Sequence, residues 1–149
     1  MKLALPAAAV ILALSTAAAF AASKEEEAIK YRKAVMTTIA WNFGPIGAMV
    51  KGERPFDKNL AMRNADRLEA LGKMPLEGFV PGTESGGDTK VKAEAFLEMD
   101  KFRTAMEKMQ SETTKLAVAA RSGNLDQIKP AFGDVAKACK SCHDNYRAK

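Results

Sequence analysis

The sequence holds a single histidine and two cysteines. A structural zinc site normally takes four protein ligands. These three residues fall one short, and no further His or Cys exists to complete the set. A catalytic zinc with an open position stays as a weaker alternative. One imidazole also leaves no second histidine for proton transfer, and no acid–base pair or substrate pocket can be read from the chain, so it reads as a non-enzyme. Period-two alternation between turn signals is absent, which excludes strands. There is no internal repeat. Past the N-terminus no segment is apolar enough to span a bilayer. The cationic excess is small, 23 Lys and Arg against 18 Asp and Glu. Basic residues alternate with acidic ones and aromatics do not interleave with them, so a nucleic-acid partner is excluded.

The N-terminus is different in kind. Met1-Lys2 is a short basic start, Leu3 to Thr16 is almost wholly apolar, and Ala19-Phe20-Ala21 offers small residues at the −3 and −1 positions. This is the pattern of a secretory signal peptide over residues 1–21. A transmembrane anchor is the rival reading, but the run ends in alanines and meets Lys24-Glu25-Glu26-Glu27 at once. Residues 22–149 are then the mature domain, exported to the periplasm, with room for one core.

Helical spacing dominates that domain. Ile29, Arg32, Met36, Ile39, Phe43, Ile46 and Val50 fall on one face of a first helix, which Gly44-Pro45 should kink and Lys51-Gly52-Glu53-Arg54-Pro55 should stop. Asp57 is the N-cap of a second helix with Leu60, Ala61, Asn64, Ala65, Leu68 and Leu71 as its stripe. Residues 75–89 read as a long loop, a length that is often functional. A third helix is predicted from Val91 to Ser122, with Phe96, Met99, Phe102, Met106, Met109, Thr113 and Leu116 inward. Helical spacing makes those methionines core rather than a metal box. The fourth carries Leu125, Ile128, Phe132, Val135, Cys139, Cys142 and Tyr146 on one face, with Pro130 expected to kink or separate its first turn. The fold class is all-α, a four-helix bundle.

All three metal-ligating side chains lie within Cys139-Lys140-Ser141-Cys142-His143. C-x-x-C-H is the attachment signature of c-type haem. Cysteines three apart on a helix stand one turn apart on nearly the same face, where both sulfurs reach the haem vinyl groups. The next residue places an imidazole under the iron. A thioredoxin-like pair would sit at a strand-to-helix junction, and this chain shows no strand. A disulfide between residues i and i+3 would close only a tiny loop.

The run from Cys139 to Asp144-Asn145-Tyr146-Arg147 resembles the end of class II c-type cytochromes, the cytochrome c′ family with its low-spin relatives. Tyr31-Arg32 with Met36, Lys51 to Asp57, Phe79-Val80-Pro81-Gly82-Thr83 and Ala131 to Val135 resemble other parts of the same family. The resemblance covers essentially the whole mature chain. It implies an antiparallel four-helix bundle with one covalently bound haem c, anchored by Cys139 and Cys142 with His143 as axial ligand. It also implies Arg147 near that histidine, Arg32 near the haem propionates, Phe79 in the pocket wall and Met36 at the distal position. The family's usual glutamine after the arginine is Lys33 here. Met36 either ligates the iron, giving a low-spin carrier of electrons between redox partner proteins, or only caps an open face that binds nitric oxide or carbon monoxide. Homodimers through the first two helices are implied by analogy alone.

Overall fold

The structure, a computed structural model, describes residues 23–149. The signal-peptide reading lies outside the described residues. Four long helices form the bundle: α1 (Lys24–Val50), α2 (Lys58–Leu71), α4 (Met99–Arg121) and α5 (Leu125–Tyr146). A 3-10 turn at Pro75–Gly78 and a one-turn helix, α3 (Glu94–Leu97), lie in the crossover from α2 to α4. Among the described residues there is no strand, only an isolated antiparallel bridge between Val91 and Arg147.

The helix ends follow their sequences. Ser23 Oγ accepts from the Glu26 amide, and Glu25, Glu26 and Glu27 set negative charge on the first turn of α1, where the helix dipole is positive. Asp57 caps α2 by accepting from the Leu60 amide, and Asn124 caps α5 by accepting from that of Asp126. After α1, Gly52 takes φ +77°, its amide donates to the Met49 carbonyl and the Glu53 amide donates to that of Ala48. This pair of bonds needs a left-handed residue, which glycine supplies without a Cβ clash.

The third helix differs from its expected form. Glu98 adopts φ −114° and ψ 43°, so the helix predicted from Val91 is split into α3 and α4, and Val91 is extended. The two prolines expected to kink their helices, by contrast, lie within unbroken ones, Pro45 in α1 and Pro130 in α5.

The core has two regions. Val35, Ile39, Ile46, Met49, Ala61, Ala65, Leu68, Leu116, Ala117, Ala120, Ile128 and Val135 fill one end. The alanines of α2 and α4 let the backbones approach closely. Gly47 does the same between α1 and α5: a Cβ there would stand 2.9 Å from Phe132 Cζ, and Phe132 itself stacks on Phe43 at 4.2 Å between centroids. The second region, around Ala95, Phe102, Met106, Met109, Ala138 and Tyr146, is ringed by partly buried Met36, Phe79, Cys139 and Cys142.

One buried carboxylate serves stability. Glu112 is almost wholly enclosed, and its Oε1 accepts from Lys108 at 2.6 Å and Lys115 at 2.9 Å. Those hydrogen bonds hold its carboxyl below the usual value of 4.5, against the opposing effect of burial. A lowered folded pKa contributes stability above the unfolded value and loses it as pH falls through the folded one. Glu112→Gln should therefore flatten the loss of stability below about pH 4.5, measured by urea midpoints across the acid range.

Candidate functional site

The last turns of α5 put Cys139 and Cys142 on its inner side, with Ala138 and Tyr146 buried beside them. This end is held from outside the helix. The Lys92 amide donates to the Tyr146 carbonyl at 2.9 Å and the Ala148 amide to that of Lys90 at 2.8 Å. Lys92 Nζ adds bonds to the carbonyls of Asp144 and Asn145. Tyr146 meets Phe102 edge to face at 5.1 Å, and Phe102 meets Phe79 at 4.6 Å.

Between these groups lies a cavity of about 460 Å³, half-open to solvent. That is within the roughly 300–1,000 Å³ range of cofactor sites. Met36, Phe79, Phe102, Met106 and Tyr146 supply apolar wall, and Cys142 and His143 enter from α5. Arg32, Lys33, Thr37 and Ala40 border it from α1, Asp88 to Val91 from the crossover, and Arg147 from the C-terminus. Cys139, like Met36, packs against both core regions. The structure thus brings Arg32, Met36, Phe79, Cys142, His143 and Arg147 to one cavity, with Cys139 one turn away on α5.

Burial raises the Cys139 thiol, and burial together with neighbouring Cys139 pushes the Cys142 thiol up to about 11. Neither is a thiolate at neutral pH. Desolvation, then the charge of Arg147, lowers the His143 pKa against the pull of Asp144, so the imidazole is kept neutral with a lone pair free for a metal.

Arg32 does a different job from its neighbours. It is 3% exposed, and its two terminal nitrogens make four bonds: to the Gly78 carbonyl, the Thr83 hydroxyl, the Thr83 carbonyl and the Thr89 hydroxyl. Its guanidinium also lies 4.9 Å from the centre of the Phe79 ring. It clamps the crossover onto α1. Gly78 must be a glycine for this, since a Cβ there would stand 2.7 Å from Arg32 Cβ.

Phe102, Met106 and Tyr146 were visible in the sequence only as inward positions of their helices. Nothing in the spacing separates a core wall from a cavity wall. Thr89 was visible only as the end of the long loop, and Lys90 and Val91 carry no sequence signal for the site.

Comparison with known proteins gives this geometry a family. The family described as Cytochrome C' matches residues 27–147. The chain belongs to the cytochrome c′ family. Cytochrome c′ of Alcaligenes xylosoxydans xylosoxydans is 39% identical over 127 residues, covering 85% of this chain and 98% of that one. The solved structure of cytochrome c prime from Shewanella frigidimarina superposes with a TM-score of 0.82 at 40% identity, covering 87% of this chain and all of that chain. A ferrous variant of the Alcaligenes xylosoxidans protein with bound NO superposes at 0.79 and 36% identity, covering 87% of this chain and 99% of that chain. As a cytochrome c′ this chain is a c-type haem cytochrome that takes one covalent haem c. The cavity suits such a group. It is walled by aromatic and thioether side chains, and positive residues outnumber negative ones along its border.

Proposed function

We propose that this is an exported monohaem cytochrome that passes electrons in the periplasm, with its haem seated in the α1/α5 cavity. The observation that carries the reading is the convergence of Cys142, His143, Met36 and Phe79 on one apolar cavity, one helical turn from Cys139. When bound, the haem supplies a one-electron couple. Cys139 and Cys142 would hold it through thioethers from α5. His143 offers a neutral imidazole from the solvent side, and Arg147 and Asp144 set the charge around it. Phe79, Phe102 and Tyr146 exclude water from the inner face.

A second reading has its own support, the NO complex of a relative and a half-open cavity bordered by Thr37 and Ala40 of α1 and Thr89 and Lys90 of the crossover. In it Met36 stands over the distal side as a lid without ligating, and NO or CO enters there. Met36 packs against both core regions, which suits a lid held by its neighbours. The wild type is then expected to be high-spin and to bind CO, with Met36→Ala changing the CO binding rate and not the spin state. A low-spin wild type that turns high-spin in Met36→Ala would instead make Met36 an axial ligand and the protein a dedicated electron carrier. Export is tested by intact mass: the periplasmic form should begin at Ala22, and retention of Met1 would refute processing after Ala21.

A further inference from the structure

The charge around the cavity is lopsided. Arg32, Lys33, Lys90 and Arg147 border it, against Asp88 as its single carboxylate. Arg32 is a buried cation whose hydrogen bonds all go to uncharged acceptors, with its terminal N–H groups fully engaged by the crossover. It supplies a field and has little left to donate. Lys33, the next residue, is placed otherwise. Its ammonium pairs with Asp88 of the crossover at the cavity border, and the two side chains are 47% and 89% exposed. An exposed pair of this kind is weak and readily exchanged. A haem c brings two propionate carboxylates of its own, and a carboxylate set between a half-exposed lysine and the field of a buried arginine is better compensated than Asp88 in open water.

We propose that Lys33 is the residue that binds a haem propionate, exchanging Asp88 for it when the haem is seated, and that Arg32 serves as crossover clamp and source of field rather than as direct partner. This rests on the placement of the haem in the α1/α5 cavity given above. It makes Lys33–Asp88 an exchangeable pair, with Asp88 released to solvent in the loaded protein.

The test uses the haem-loaded protein and follows reduction potential against pH, together with the redox-induced infrared difference bands of the propionate carboxylates. A cation within about 4–6 Å lowers a carboxyl pKa by about one to three units. In Lys33→Gln the propionate ionisation seen in the potential curve should move up by about one unit, the low end of that range for a half-exposed lysine, and the carboxylate bands should shift. Lys33→Arg should restore both. Asp88→Asn, which removes the competitor, should leave the ionisation at or below its wild-type position. Arg32, Lys90, Arg147 and His143 are constant across the series. A Lys33→Gln protein with full haem and the wild-type visible spectrum, but an unmoved ionisation and unmoved bands, overturns this proposal alone. A wild type without covalent haem overturns the placement and the proposal together.

Discussion

The Cys139→Ala/Cys142→Ala/His143→Ala protein is expected to lose all covalent haem and, with it, fixed tertiary structure. The cavity these residues serve measures about 460 Å³. Left empty, the half-open cavity admits water onto Met36, Phe79 and Phe102, and keeping each large apolar side chain wet forfeits about 1.5–3 kcal/mol. A domain has only about 5–15 kcal/mol in total to draw on. The helices should survive by far-ultraviolet circular dichroism while the near-ultraviolet signal of the aromatic cluster is lost. Sharp, dispersed NMR signals from this variant would show that the bundle does not depend on a filled cavity. Haem found covalently bound even with both cysteines replaced would remove the basis of the attachment itself.

Arg32→Met is expected to destabilise the haem-loaded protein by about 1–3 kcal/mol, the range for leaving buried acceptors without their hydrogen-bond partner. Methionine retains much of the length and loses every donor. The carbonyls of Gly78 and Thr83 and the hydroxyls of Thr83 and Thr89 are left without their arginine partner. Arg32→Lys restores the charge but cannot serve four acceptors on two prongs, so it should recover only part of the loss. Denaturant midpoints measure the cost. Limited proteolysis at Gly86-Gly87, both at positive φ in the clamped crossover, reads its location. Equal stability of Arg32→Met and wild type would mean that the crossover is held by other contacts.

The long helices were legible because their signals are local. A stripe at three- and four-residue spacing, the capping Asp57 and a glycine stop all act within one or two turns, and the structure places α1, α2, α4 and α5 where the stripes stand. The C-x-x-C-H run was legible for the same reason. The split at Glu98 was not. The residues from Val91 onward keep a helix-compatible pattern, and what draws Val91 out is pairing with Arg147, a partner far along the chain. Arg32 was readable as inward-facing, but its engagement with Gly78, Thr83 and Thr89 depends on how the crossover folds back, which no spacing encodes. Lys33 was visible as a departure from the family pattern, and only the geometry of the mouth gives it a task.

The strap from Lys92 to the end of α5 has a consequence for the order of events during biogenesis. Lys92 Nζ reaches the Asp144 carbonyl across 52 residues of chain. Closing so long a loop is entropically slow and comes after local helices have formed. The turn holding His143 is therefore locked only after its own helix has formed, and on the proposed attachment Cys139 and Cys142 stay reachable until then. Attachment and closure become sequential steps, with the strap acting as a bolt drawn once the group is in place. Pulsed hydrogen exchange should accordingly find the Lys92 and Ala148 amides among the last to gain protection, after the amides of α2 and α4.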